Sequence, residues 1–187
     1  GPGGERARLT ESGPCTGGIC AERGQVGAAN ARAWVRHDVR TQAILTPGPC
    51  YRALASPDAK CAGADASVSP GAVLMMAGRA EAGGRGIRAE RMIFVGMGAA
   101  AKEDPSILRR DRYDRSSSMD MAIRRTLELN RMTGADFDHV ELYSCFPCVP
   151  KMARRVLGWP LDKPATVFGG LTFGGGPIAH SMRHAVA

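Results

Sequence analysis

The sequence lacks several features that would assign it to a class at once. Aromatic residues make up only 5% of its 187 residues, and no apolar run approaches the roughly 18 residues of a membrane-spanning helix. The N-terminus has no secretory signal pattern, because charges at Glu5, Arg6 and Arg8 are not followed by an apolar stretch. We therefore expect a cytoplasmic protein without a membrane span.

The formal charge of +7 is the one compositional feature that favours a nucleic-acid partner. The basic residues, however, are scattered or paired among acidic ones, and few aromatic side chains are available to stack on bases. The same charge equally suits a ligand that carries phosphates, such as a nucleotide-containing thioester. Nucleic acid is therefore not an expected partner.

The six cysteines do not indicate a disulfide framework, because a chain with 44% apolar residues is large enough to form a hydrophobic core. Cys145 and Cys148 have the spacing of half a zinc site. The other close pair, Cys15 and Cys20, has four intervening residues and lies in a stretch without predicted structure. We expect reduced thiols and no metal.

Composition divides the chain into three stretches. Residues 1–27 are rich in glycine, proline and charge without periodicity, which predicts a flexible or disordered end. Residues 28–90 contain turn-rich segments and short apolar runs, which indicate excursion loops at the end of a domain. Residues 91–187 alternate strand-like and helix-like patterns and predict one α/β domain.

The alternation can be followed along the chain. Four short apolar runs predict buried strands at 72–76, 91–96, 139–143 and 165–168. A serine N-cap at 116–118 begins a helical apolar face that Gly134 is expected to end. A second helix follows Pro147, with Pro150 in its first turn and Gly158 at its C-terminus.

The stretch 169–177 is a candidate binding loop, because it contains five glycines in nine residues. Glycine is entropically costly unless the backbone adopts positive φ or a ligand approaches the main chain. One interpretation is therefore a ligand site, and the other is a tight crossing of strands without a ligand. The loop lacks the lysine of a phosphate-binding Walker loop.

A polar cluster follows the predicted strand 139–143, at the edge where ligands bind in open α/β sheets. Cys145 is a candidate nucleophile, for which His180 or His184 is the nearest candidate base beyond the glycine-rich loop. The alternative is a small buried hydrophobic residue. The two histidines, spaced i and i+4, are either a general base or ordinary helix surface.

Residues 137–146, which read Phe-Asp-His-Val-Glu-Leu-Tyr-Ser-Cys-Phe, and the glycine-rich loop 169–177 occur in a familiar order and spacing. They resemble the paired active-site loops of the thiolase superfamily, in particular acetyl-CoA acetyltransferase-like, sterol-carrier-protein-thiolase-like proteins. The likeness extends from about residue 28 to the end. It implies a thiolase-like layered α/β/α sandwich, comprising the C-terminal half from residue 91 and part of the N-terminal half.

The resemblance also implies a ligand and a set of site residues. The substrate would be acetyl-CoA or another coenzyme A thioester, with no tightly bound cofactor. Tyr143 holds the position of an oxyanion-site residue, and Gly176 holds that of the family's catalytic histidine. The predicted catalytic residues are Tyr143, Cys145 and His180. The predicted substrate-binding residues are Ser144, Phe146, Gly169, Gly170, Gly174, Gly175, Gly176 and Pro177.

The family's nucleophilic cysteine belongs to an N-terminal half, and a second catalytic cysteine follows a further strand beyond Ala187. We therefore expect a thiolase-like acyltransferase that is incomplete on its own. The alternative is a non-catalytic thiolase-fold protein that binds acyl-CoA or lipid, or a subunit of an assembly. The expected partner is a second copy or a chain that supplies the N-terminal half, because a lone half exposes apolar surface and associates.

Overall fold

The computed structural model describes residues 18–36, 39–45, 73–103, 105–110, 112–176 and 181–187. Its helices are α1 (18–29), α2 (Thr41–Leu45), α3 (Arg79–Gly84), α4 (Ser117–Asn130), α5 (Cys148–Leu157), α6 (Gly170–Phe173) and α7 (Ser181–Val186). Three 3₁₀ turns lie at Ala89–Arg91, Ile107–Arg109 and Gly134–Asp136. In this part of the chain, each helix is too short or too polar to cross a membrane.

Helix α4 forms where the serine cap and the apolar spacing predict it. The Ser116 side chain accepts a hydrogen bond from the Met119 N–H at 3.3 Å. The Glu103 carboxylate accepts from the Ser117 hydroxyl at 2.6 Å and from the Ser118 N–H at 2.9 Å. These bonds, the Ser117 bond foremost, lower the pKa of Glu103 to about 2. The N-terminus of α4 is thus capped by two side chains, as helix capping requires.

The prediction that Gly134 ends α4 is wrong. The helix ends at Asn130, and the next residue, Arg131, adopts the left-handed conformation with φ of 54°. Gly134 begins a 3₁₀ turn instead and lies buried against the carbonyl of Leu157, where a Cβ atom would overlap that oxygen. Glycine is needed here for a close approach between backbones rather than for a helix stop.

Helix α5 confirms the second predicted helix. It spans Cys148–Leu157, with Pro150 as its third residue, and Gly158 ends it with φ of 69°. Pro150 and Ala153 are buried on its inner face, and the helix packs against α4. An apolar stripe at helical spacing therefore predicts this element fully.

Residues 18–27 do not form the flexible end that their composition predicts, because they make up most of α1. Ile19, Cys20 and Ala21 are buried, and Cys20 and Ala21 pack with Ile44 of α2. Gly27 fits directly against Phe173, since a Cβ atom there would lie 2.7 Å from the Phe173 Cβ. Small residues that suggest disorder in isolation allow close tertiary packing here.

The four predicted strands are not realised as a β-sheet within the described ranges, which are rich in helix. Segments 139–143 and 165–168 lie side by side and share one backbone bond, from the Leu142 N–H to the Ala165 carbonyl at 3.0 Å. Segments 73–78 and 92–100 are irregular and form no ladder bonds with the part of the chain that the structure describes. A strand forms only where a neighbour completes its backbone hydrogen bonds, and these segments have no such neighbour among the described residues.

Candidate functional site

The two segments that resemble active-site loops lie against each other. The Leu171 N–H donates to the Ser144 hydroxyl oxygen at 3.1 Å. Ser144 is 1% exposed, and a Cβ atom on Gly170 would lie 2.7 Å from its Oγ. A buried hydroxyl thus joins the end of segment 139–143 to the glycine-rich loop.

The glycine-rich loop contains α6, where the sequence predicts irregular structure. Gly169, Gly170 and Gly175 have φ of 104°, 63° and 101°, values that favour glycine. Residues 169–176 are all buried. Positive φ, one of the two reasons given for so many glycines, is thus observed at three positions of the loop, whereas the ligand-binding role stays a prediction.

The Glu141 carboxylate and the Thr166 hydroxyl stabilise the turn that precedes α6. Glu141 Oε2 accepts from the Thr166 hydroxyl at 2.7 Å and from the Val167 N–H at 2.8 Å. Thr166 Oγ1 in turn accepts from the N–H groups of Gly169 and Gly170 at 3.1 and 2.9 Å. This relay satisfies consecutive backbone donors that would otherwise be buried without partners.

Glu141 is unusual because burial raises its pKa to about 7, while hydrogen bonds from Val167 and Thr166 and the Arg23 charge oppose the shift. Arg23 of α1 is 2% exposed, and burial lowers the pKa of its guanidinium. Glu141 Oε1 and Arg23 Nη1 are both buried without a hydrogen-bond partner among the described residues. The two opposite charges therefore interact through a desolvated interior without a direct bond.

A largely buried ion pair between Arg154 and Glu22 stabilises the same region. Arg154 of α5 donates from Nη2 to Glu22 Oε2 at 2.9 Å and to the Lys163 carbonyl at 2.5 Å. Its Nη1 donates to the Leu161 carbonyl at 3.2 Å. Glu22 Oε1 accepts from the Ala165 N–H at 2.6 Å. One arginine thus links α1, α5 and the segment that leads into the glycine-rich loop.

Two residues of the first of these segments, 137–146, here called the first loop, face solvent. Tyr143 is 48% and Phe146 is 56% exposed, and the Tyr143 hydroxyl makes no hydrogen bond with the described part of the chain. Cys145 is half-buried and is a free thiol. The exposed side chains of Tyr143 and Phe146, on either side of the buried Ser144, form a surface that is accessible to a ligand.

The structure does not pair Cys145 with a base among the residues it describes. His180 and Pro177 lie outside those residues. His184 of α7 packs edge-on against Phe168, with ring centroids 5.5 Å apart. Gly174 lies against the same phenyl ring, and the next two residues, Gly175 and Gly176, are also buried. Within the described ranges, no group of three or more ligand-type side chains is placed to hold a metal ion.

Sequence reasoning missed three polar residues: Arg23 and Thr166, which are buried, and Glu141, which is half-buried. A signal was present for Glu141, because a carboxylate inside an apolar run of strand length requires a buried partner. Arg23 had no comparable signal, since the stretch around it reads as flexible. These residues do not face solvent as Tyr143 does, and they support the loops from beneath.

Replacing Ser144 by alanine is expected to lower the free energy of unfolding by about 1–3 kcal/mol, because the buried Leu171 N–H loses its acceptor. Chemical denaturation measured by circular dichroism tests this. Cys145→Ala, at the adjacent and more exposed position, is the control and should change stability far less. Equal effects of the two substitutions would contradict a specific role for the Ser144 hydroxyl.

No protein-family model matches the chain, and no curated protein matches it. Among solved structures, it is similar to a monomeric SCP2-thiolase-like protein type 1 from Mycobacterium smegmatis, with a TM-score of 0.77 and 23% sequence identity. The match covers 97% of this chain and 41% of that one, so the chain spans less than half the length of that protein. At this identity the likeness concerns the fold alone. The chain has a thiolase-like fold.

Proposed function

We propose that the chain is part of a thiolase-like acyltransferase that acts on acetyl-CoA or another acyl-CoA thioester. The observation that carries this proposal is the bond from the Leu171 N–H to Ser144 Oγ, which joins the two segments that resemble thiolase active-site loops. The fold of the M. smegmatis relative is consistent with such a site.

The first loop presents groups suited to a thioester. The Tyr143 phenol is an exposed hydrogen-bond donor, and the Phe146 ring offers apolar surface for an acyl or pantetheine chain. Ser144 is already engaged with Leu171 and so positions the loop rather than contacting a ligand. In this proposal, Tyr143 donates to the thioester carbonyl, where negative charge develops during acyl transfer.

The described residues do not provide a general base for the proton transfer that acyl transfer requires. The residue at the family's histidine position is Gly176, which has no titratable group. Glu141 has a pKa of about 7, but its unpartnered oxygen is buried and its other oxygen is held by Thr166 and Val167. The nucleophile and its base would therefore come from outside the described residues.

Gly176 also favours a second candidate function. A thiolase-fold protein without a base at this position would bind an acyl-CoA or lipid without turning it over. Thiolysis of a 3-oxoacyl-CoA by free CoA separates the two functions. Turnover supports the transferase, whereas binding with no turnover, even in the presence of a polypeptide that completes the fold, supports the non-catalytic alternative.

Calorimetric titration with acetyl-CoA and with free CoA tests the shared part of both functions. We expect binding that weakens when Tyr143 is replaced by alanine, because the loop loses its exposed donor. Tyr113→Ala is the matched control, since Tyr113 is also exposed and lies outside both loops. Absence of binding, or equal affinities of the two variants, would contradict the proposed pocket.

A further inference from the structure

We infer that Cys145 and Cys148 form a thiol–disulfide exchange site, at which an anionic low-molecular-weight disulfide oxidises the two thiols to a disulfide. The inference goes beyond the proposed function and does not rest on it, because the reaction needs neither a thioester nor a protein base. It gives Cys145 a reaction partner among the described residues, which do not place a base beside it.

The two thiols are accessible, unlike the third cysteine that the structure describes. Cys148 is exposed, Cys145 is half-buried, and both are free thiols. Cys20, by contrast, is 0% exposed and packs with Ile44. Exchange begins when an accessible thiol attacks a sulfur of the incoming disulfide, so Cys148 is the residue that reacts first.

The backbone between the two cysteines suits a short disulfide-closed loop. The chain bends at Cys145 and Phe146, and Pro147 has helical angles, with φ of −60° and ψ of −24°, before α5 begins at Cys148. The Phe146 carbonyl accepts a hydrogen bond from the Val149 N–H at 3.1 Å. Residues spaced i and i+3 across a turn lie less than about 7 Å apart between Cα atoms, which is the separation that a disulfide requires.

Buried contacts fix the chain on both sides of the pair. On one side, Ser144 is 1% exposed and accepts from the Leu171 N–H at 3.1 Å. On the other side, Pro150 is buried in the first turn of α5. Because the flanking backbone is already ordered, closing the disulfide costs little additional conformational entropy. The second thiol therefore reacts with the first far faster than a thiol that arrives from solution.

The charge near the pair favours an anionic disulfide. Lys151 and Arg155 follow Cys148 by three and seven residues, on the same side of α5, and the helix contains no acidic residue. Asp114, whose carboxylate lies 4.0 Å from Arg155, offsets only part of this charge. The field attracts an anionic disulfide such as oxidised glutathione and repels a cationic one such as cystamine.

The reaction consists of two exchange steps. The Cys148 thiolate attacks one sulfur of oxidised glutathione, the S–S bond breaks, and the first glutathione leaves and takes up a proton from water. The Cys145 thiolate then attacks the Cys148 sulfur of the mixed disulfide, and the second glutathione leaves in the same way. The two cysteines lose two electrons and two protons, and oxidised glutathione gains them.

The test incubates the complete 187-residue chain with varied ratios of oxidised to reduced glutathione, followed by acid quenching and alkylation of the remaining thiols. The tryptic peptide 132–151 contains Cys145 and Cys148 and no other cysteine, so mass spectrometry reads the pair directly. With oxidised glutathione in excess, we expect this peptide to escape alkylation and to be lighter by two hydrogen atoms. With reduced glutathione in excess, we expect it to return to the dithiol form.

Two substitutions separate the exchange steps. Cys145→Ser should accumulate a glutathione adduct on Cys148, because no second thiol displaces it. Cys148→Ser should react several-fold more slowly, because its remaining thiol is half-buried. For the wild type, the rate with oxidised glutathione should fall as the ionic strength rises, whereas the rate with cystamine should rise.

Unfolding the wild type in urea tests whether the fold assists the reaction. We expect the equilibrium constant for the disulfide between Cys145 and Cys148 to fall several-fold, because the bent and anchored backbone is lost. Equal constants in the folded and unfolded chain would show that sequence spacing alone brings the thiols together.

Three further results would overturn the inference. The first is a peptide 132–151 that keeps both thiols in excess oxidised glutathione. The second is a wild-type chain that retains the glutathione adduct, or that joins either residue to another cysteine. The third is a rate with oxidised glutathione that rises with ionic strength, which would exclude the anionic class. The wild-type measurements decide these outcomes, so they do not depend on the folding of either variant.

Discussion

Replacing Arg154 by methionine is expected to lower the free energy of unfolding by about 3–5 kcal/mol. Arg154 is 4% exposed and bonds Glu22 and two backbone carbonyls. Methionine fills much of the volume but leaves the Glu22 carboxylate, whose side chain is 19% exposed, without its cation. The cost arises from a nearly buried, uncompensated charge and from carbonyls that lose their donors.

Arg155→Met is the control, because Arg155 is the next residue of α5 and its side chain is 65% exposed. Its contact with Asp114, 4.0 Å between charged atoms, is a surface pair and should contribute at most about 1 kcal/mol. Urea denaturation of both variants measures the difference. A loss below about 1 kcal/mol for Arg154→Met would show that water enters the site and solvates Glu22.

Helices α4 and α5 were predictable because their signals are local. Ser116 caps the first turn of α4, and Gly158 ends α5 in the left-handed conformation that its position suggests. Such signals act within a few residues and do not depend on the rest of the fold. Even here, Gly134 was misassigned, because its real constraint is the carbonyl of Leu157, which is distant in sequence.

The elements that sequence reasoning missed depend on long-range contacts. Residues 18–27 become helical where Gly27 meets Phe173 and where Glu22 accepts from the Ala165 N–H, 143 positions away. The opposite error occurs at the predicted strand 91–96, whose β-forming residues have no strand neighbour within the described ranges. Local propensity reports what a segment favours, and tertiary neighbours decide whether it forms.

The candidate site also combines features that were expected from the sequence with features that were not. The proximity of Ser144 to the glycine-rich loop is implied by the resemblance to paired active-site loops, and the structure shows the two segments in contact. The relay from Glu141 through Thr166 was not predictable, because single polar residues in apolar strands do not identify their partners. The catalytic roles of Tyr143, Cys145 and His180 stay predictions.

Titration of Glu141 is expected to lower the free energy of unfolding as the pH rises from 4.5 to about 7. Burial raises its pKa from 4.5 to about 7, so the folded state binds more protons than the unfolded state in this window. The stabilisation from the protonated form is complete below 4.5 and is lost as pH rises through about 7, a change on the order of 3 kcal/mol. Glu103 acts in the opposite sense at lower pH, because its lowered pKa makes stability fall as pH drops from 4.5 towards 2.

The difference in unfolding free energy between the wild type and Glu141→Gln isolates this group. Glutamine keeps an oxygen for the Thr166 and Val167 donors but does not titrate, so the difference should decline between pH 4.5 and 7 and level off above. The Arg23 charge lowers the pKa of Glu141. When both proteins also carry Arg23→Met, the difference in unfolding free energy should therefore level off at a higher pH. Arg36→Met, at an exposed position, makes the same change in net charge and should leave the profile in place. Parallel profiles for the wild type and Glu141→Gln would mean that the Glu141 carboxyl is solvated and titrates near 4.5, and the buried relay beneath the glycine-rich loop would then be open to water.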